Sequence, residues 1–417
     1  MTAGKFDLEF LLAPTSLEDF FSRHWERAPL IVARSEPERY AGLLDASDLD
    51  YVISNAFAQQ KSSVETLGDA DATRHLEGRE PQHVAEIYEA YRRGATVRVN
   101  RVHQYWKTLR EMCARLEQLF GFPVKANLYC SPASAHRSAR HYDNHDVLVL
   151  QLSGRKHWRV YRPVVNLPLA NVPPLPFEER TEMLKYARGG PKKGRADISD
   201  EESGAPTHEL TLDAGDLLYL PRGFVHEAWT TDSASTHVTV GLHVLTWLDL
   251  LSVALAQVGN RDERFRRTPP VGFDGDAQSI DAIRQHFDAL LQAFAAQADA
   301  KQAANETIAS FIRSRNSAGE GTLADAADAR SIDLDTPLER RPGILCRLVS
   351  EAGMVGLVSS QSILWMPESF TEALRFVARV EEFRASQIPG QLSDNSKLAL
   401  ARRLMHDGLL RIAHQSS

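Results

Sequence analysis

Between about residues 122 and 245 the chain is built from short β-type runs, and this stretch limits what it can fold into. VKANLYC, DVLVLQLSG, KHWRVYRP, HELTLDAGDLLYLP, FVHEAWTT and THVTVGLHV are rich in Val, Leu, Thr and aromatic residues. Such residues suit a pleated, half-buried surface. Asp-Ala-Gly and Pro-Arg-Gly stretches punctuate them as turns. Many short strands at this spacing predict a barrel or a double sheet. A long excursion at 165–207 interrupts them. Its middle, KYARGGPKKGRADISDEESGAP, passes from basic residues to acids with many Gly, and a mobile surface loop is expected there.

Helical patterns flank this β region. SLEDFFSRHWERAPLIV reads as a helix capped by Ser16 and then a short strand, and YWKTLREMCARLEQLFG as a helix stopped by Gly121. After 246, WLDLLSVALAQVG and the long amphipathic run SIDAIRQHFDALLQAFAAQADAKQAANETIASFIRSR fit either surface helices or a dimerisation element. NSAGEGTLADAADARS reads as a linker. The remainder has an α+β order that resembles a winged helix. A chain of 417 residues exceeds one ordinary core. The expected partition is 1–245, 246–325 and 326–417.

Charge and cysteine usage narrow the class. The formal net charge of -7 argues against a general nucleic-acid binder. From 331 onward ten Lys/Arg face ten Asp/Glu, which gives the winged-helix-like part little pull on phosphates. Cys113, Cys130 and Cys346 are widely spaced with no CxxC, so neither a disulfide framework nor a thiolate zinc site is expected, and a cytoplasmic setting fits. The N-terminal stretch has no sustained apolar core. No run reaches the ~18 apolar residues of a membrane span.

The chemistry concentrates in two motifs. His141-Tyr142-Asp143 stands just before the apolar run DVLVLQLSG. In extended backbone, residues i and i+2 share a face, so His141 and Asp143 converge while Tyr142 turns away. Imidazole and carboxylate suit a first-row divalent metal, and a third ligand must come from a later strand. GDLLYLPRGFVHEA offers His226 at a strand start. Two His and one carboxylate leave positions open on the metal, the arrangement of non-haem Fe(II) oxygenases. A bare HxD is common by chance; followed by strands and G-D-x-x-Y-x-P-x-G-x-x-H it is far more specific.

These two motifs together closely resemble the JmjC-type cupin proteins, and within them the ribosomal oxygenases. The resemblance implies a double-stranded β-helix (jelly-roll, cupin) core over about 122–245 with helical N-terminal support, a helical dimerisation region and a C-terminal winged helix. It implies Fe(II) held by His141, Asp143 and His226, with 2-oxoglutarate and O2 as cosubstrates. Lys156 matches the position that binds the distal carboxylate of 2-oxoglutarate. Tyr129 matches a second contact to that carboxylate, Asn127 the keto-acid end, and Thr239 a hydroxyl on a late strand. His237 shares a face with Thr239. Each residue also has a plainer reading: Arg155-Lys156 as a solvated turn, Tyr129 and Trp158 as core, Thr239 as an ordinary strand residue.

The implied activity is hydroxylation of a side chain, Arg or His, in a ribosomal or other protein, by a homodimer that contacts neither nucleic acid nor membrane. The alternatives are a peptide-tailoring hydroxylase of a biosynthetic pathway, a lysine demethylase, a metal-dependent cupin isomerase, and a non-catalytic metal-binding scaffold or regulator.

Overall fold

The computed structural model describes residues 6–68, 73, 76, 80–135, 138–169, 198–269, 277–315, 327–341, 343–351, 353–360 and 362–413. The chain divides into two compact units, Met1–Val244 and Leu245–Ser417. Residues 170–197 of the excursion expected at 165–207, and 316–326 of the expected linker, lie outside the described residues.

The first unit carries β1 (Leu30–Val32), β2 (Val64–Leu67), β3 (Thr96–Val99), β4 (Val124–Ser131), β5 (Asp146–Pro163), β6 (His208–Asp213), β7 (Leu217–Leu220), β8 (Phe224–Trp229) and β9 (Ser235–Leu242). Its longer helices are α1 (Leu49–Gln59), α2 (Val84–Arg92) and α3 (Lys107–Phe120). The main sheet runs β1-β7-β5-β9-β4-β3-β2, while β6 and β8 pair with the second half of β5. All these pairings are antiparallel. Two sheets thus share one long strand, and the cupin-type double sheet follows.

The two expected strands DVLVLQLSG and KHWRVYRP are this single 18-residue strand. Ser153-Gly154-Arg155 bends within it instead of ending it. The register slips between Gln151 and Ser153, and Gly154 takes φ +65°. A Cβ on Gly154 would stand 1.8 Å from the Ala234 carbonyl oxygen, so only glycine lets the strand cross here.

Alternation along the strands separates two apolar layers. On one side of the main sheet, Leu128, Leu148, Leu150 and Val240 join Val52 and Ile53 of α1 and Met112 and Leu116 of α3. On the other, Val147, Val149 and Leu218 meet Trp158, Val160 and Ala228 of the second sheet. The first half of β5 is covered on both faces, which explains its unbroken apolar run. α3 ends at Gly121 in the left-handed region (φ 74°), and Ser16 Oγ accepts the Asp19 N–H, as the cap signals predict.

The second unit contains α4 (Trp247–Arg261), α5 (Ala277–Gln297), α6 (Ala300–Arg313), α7 (Thr371–Arg379) and α8 (Asp394–His406). Two three-stranded sheets accompany them. One orders β10 (Pro337–Arg340) between β14 (Glu382–Arg384) and β15 (Leu410–Ile412); the other is β11 (Cys346–Glu351), β12 (Met354–Ser359) and β13 (Ile363–Pro367). The long helical run divides where Asp299 caps α6 by accepting the Gln302 N–H. β10, β14 and β15 have only three or four residues each, too short for a period of two to register. Among the described residues, no helix is long and apolar enough to cross a membrane.

Candidate metal centre

His141 and Asp143 precede β5, and His226 lies in β8. A single antiparallel bridge joins the backbones of His141 and His226. His226 N–H donates to the His141 carbonyl at 2.9 Å, and His141 N–H returns to the His226 carbonyl at 3.3 Å. The two imidazoles therefore face one another, centroids 4.4 Å apart. One ligand atom from each of His141, Asp143 and His226 lies within 4.8 Å of the others, and all three residues are buried. Asp143 Oδ2 is 3.7 Å from His226 Nε2. Tyr142 turns to the opposite side and is fully buried there, as alternation requires.

Backbone carbonyls fix the tautomers. His141 Nδ1 sits 2.7 Å from the Ala139 carbonyl, and His226 Nδ1 3.1 Å from the Phe224 carbonyl. A carbonyl only accepts, so each Nδ1 carries the proton and each Nε2 keeps its lone pair for a ligand. The turn before His226 is equally constrained. Gly223 has φ +92° and donates its N–H to the Asp143 carbonyl at 3.0 Å. A Cβ there would lie 2.1 Å from the Val165 carbonyl oxygen. Gly223→Ala is expected to cost about 1–3 kcal/mol of stability and to weaken metal binding roughly tenfold or more. Urea melts and Co(II) titration check this.

Asp146 underpins the same turn. It is fully buried and accepts the Arg222 N–H at 2.7 Å, with Arg222 Nη1 at 3.5 Å. Burial pushes its carboxyl up to about 6, against the pull of Arg222. Sequence reading passed over this pair, although Asp146 opens the strand and Arg222 sits inside the quoted turn.

The remaining candidates share the inner face. Lys156, Trp158 and Val160 alternate along β5, and Val160 pairs with His226. Lys156 is 5% exposed, so it is not a solvated turn residue. Its Nζ donates to Ser131 Oγ at 2.6 Å, and Ser131 Oγ lies 2.8 Å from Thr96 Oγ1. Burial pulls its ammonium down to about 8. No carboxylate among the described residues lies within ion-pairing distance of it. Ser131 was legible in principle: it is two residues from Tyr129 and shares its face.

Tyr129 pairs with His237 across β4 and β9, and their rings stack at 4.8 Å with 3° between planes. Trp158 stands between this stack and the metal candidates, 5.8 Å from His237 and 6.0 Å from His226 by ring centroids. Its indole N–H is buried with no acceptor among the described residues. Asn127 pairs with Thr239 in the next row of the same face. Asn127 Oδ1 also accepts the Arg101 N–H at 2.9 Å, so the amide holds a turn as well. Thr239 lies between Asn127 and Val149, and the hydroxyl that meets Lys156 is that of Ser131.

Comparison with known proteins adds a second line. Residues 99–250 match the JmjC domain. Ribosomal oxygenase 1 of Gallus gallus is 32% identical over 290 residues, covering 67% of this chain and 45% of the relative. A bifunctional lysine-specific demethylase and histidyl-hydroxylase NO66 of Aedes aegypti is 28% identical over 327 residues, covering 75% of this chain and 45% of the relative. The chain thus spans about half the length of these curated relatives. Among solved structures, YcfD, a ribosomal oxygenase from Escherichia coli in complex with cobalt and 2-oxoglutarate, superposes with TM-score 0.53 at 17% identity, covering 96% of this chain and 99% of the other.

Proposed function

The chain belongs to the JmjC-domain ribosomal oxygenase family, and from that premise we propose that it is an Fe(II)- and 2-oxoglutarate-dependent oxygenase hydroxylating a side chain, Arg or His, of a ribosomal or other protein. The observation that carries this reading is the buried His141–Asp143–His226 cluster on the same inner face as the buried ammonium of Lys156. The donor set fits the metal: two Nε2 lone pairs and a carboxylate are a three-ligand set for iron, with positions left for a chelating keto acid and O2.

With iron and 2-oxoglutarate bound, the site would supply oxidising chemistry: O2 is consumed, 2-oxoglutarate leaves as succinate and CO2, and one oxygen atom enters a substrate C–H bond. The protein's part is positioning. Lys156 lies four residues from Val160, about 13 Å along the strand, and offers its charge to the distal carboxylate. Tyr129 and Thr239 are the proposed polar contacts of that face, and Asn127 lines the keto-acid end. The Tyr129–His237 stack and Trp158 flank the space between, and excluding water from it is their proposed part.

Anaerobic loading with Fe(II) and 2-oxoglutarate, then exposure to O2 with a pool of ribosomal-protein peptides, tests the reading. Succinate formation with a peptide gaining one oxygen atom supports it; neither product, in protein that binds both, sinks it. Mass spectrometry of the same samples separates demethylation, an activity named for the Aedes aegypti relative, because that reaction removes a methyl group.

The second unit is proposed as a dimerisation region followed by a winged-helix-like part. Trp247 (79% exposed), Leu248, Leu251 and Leu255 form one apolar stripe on α4, and Ile280, Phe287 and Leu291 another on α5. Light scattering is expected to give twice the 46.5 kDa chain mass. Trp247→Glu with Leu251→Glu is expected to halve it; unchanged mass in this variant would remove α4 from the interface. The two small sheets with α7 and α8 support the winged-helix-like reading, and a cytoplasmic setting is proposed with it.

A further inference from the structure

Each candidate ligand is flanked in sequence by residues that face the other way. His141, Asp143 and His226 converge on one side; Arg140, Tyr142, Val225 and Glu227 lie behind them. This back layer is not loose surface. Tyr142, Val225, Tyr161 and Ile198 form a buried cluster. Glu227, 2% exposed, meets Arg140 Nε at 3.3 Å, accepts the Tyr161 hydroxyl at 2.6 Å, and lies 3.9 Å from Arg159 Nη1. The Arg140 guanidinium also sits over the Tyr161 ring, 4.7 Å from its centroid.

The end of the long excursion closes over the same arginine. Asp200 pairs with Arg140, and Ser203 Oγ accepts from Arg140 Nη1 at 3.2 Å. Ile198 N–H reaches the Arg140 carbonyl at 3.4 Å. The turn Asp200–Ser203 is itself held by a capping box between Ser199 and Glu202. Residues 198–203 are therefore a docked segment, in contrast to the loose loop expected from composition.

We propose that Arg140 and Glu227 are positioning residues whose ion pair, between a half-buried guanidinium and a buried carboxylate, holds the two ligand-bearing segments at the spacing a metal needs, with the Asp200–Ser203 turn clasping Arg140 in place. Between these segments the backbones share one isolated bridge at His141 and His226, with single bonds from Ser138 N–H to the Ala228 carbonyl and from Gly223 N–H to the Asp143 carbonyl on either side of it, in place of a continuous ladder. The Arg140–Glu227 pair, one residue from each histidine, adds a side-chain cross-link to these backbone bonds. It acts as outer-shell partners of metal ligands do, by orienting without coordinating. The inference rests on the metal-centre reading above.

The test is Co(II) titration of the whole chain, read by its visible spectrum, beside the melting of the metal-free protein. Arg140→Gln is expected to weaken Co(II) binding roughly 10- to 100-fold and to alter the spectrum. Arg140→Lys keeps the charge without the fork and should recover part of the loss. Asp200→Asn changes a side chain that is 89% exposed. It should weaken binding in the same direction, by less, without lowering the melting temperature. A merely structural pair would lower melting and leave affinity and spectrum alone; that outcome overturns the proposal. Should Arg140→Gln fail to fold, Asp200→Asn decides, and unchanged affinity there overturns it too. If the wild-type chain binds no Co(II), the metal-centre reading falls and the inference with it.

Discussion

His141→Ala is expected to abolish both metal-linked stabilisation and turnover, because it removes one of three ligand atoms that lie within 4.8 Å of one another. A ligand that binds only the folded state stabilises it by about 2.7 kcal/mol at a hundredfold excess over its dissociation constant. Wild type should therefore melt higher with Co(II) or Mn(II), and His141→Ala should not. Changes to outer-shell partners cost roughly 10- to 100-fold in affinity or activity, so loss of a ligand should exceed that range. His157→Ala is the matched control. His157 lies on the outer side of β5, beside Thr211 and Thr231, away from the cluster. Succinate production and the metal-dependent melting shift should survive in it. If His141→Ala still gains stability from the metal, the ion binds elsewhere.

Why the metal candidates were legible while their support was not follows from the range of each signal. His141 and Asp143 sit two apart in extended backbone, and His226 follows a turn written in Pro-Arg-Gly; both are local patterns. Lys156 was legible once its strand was placed. The continuous β5 was not, because a glycine in a strand reads the same whether the chain turns or only bends. What decides is Ala234, which lies eighty residues on and leaves no room for a Cβ. Ser131, Arg140 and Glu227 were missed for a similar reason. Each is an ordinary polar residue until a strand far along the chain places Lys156 or its opposite charge beside it. The resemblance spoke for the ligands and was silent about the layer behind them.

Lys156 separates stability from function most sharply. Its ammonium is buried beside a hydroxyl and is held down to about 8 from 10.5 by desolvation. At neutral pH the protein therefore carries a buried cation at a cost of about 3 kcal/mol, from 1.36 kcal/mol per unit. Lys156→Met should remove that cost while losing one hydrogen bond of about 1 kcal/mol, leaving the metal-free variant more stable by about 2 kcal/mol. The pH dependence follows in sign. Between pH 8 and 10.5 the unfolded lysine binds more protons than the folded one, so wild-type stability rises with pH across that window. The Met variant should lack that rise in urea melts. Binding of 2-oxoglutarate should move the opposite way. Removing one partner of a buried charge pair costs about 2–5 kcal/mol, which raises the KM for 2-oxoglutarate roughly 30-fold or more. In wild type that affinity should weaken above pH 8 as the ammonium deprotonates, by up to about tenfold per unit. Co(II) affinity should stay unchanged in Lys156→Met, which distinguishes it from His141→Ala. A less stable variant would overturn the stability prediction, and one that keeps its 2-oxoglutarate KM would show that the buried cation does not serve the cosubstrate.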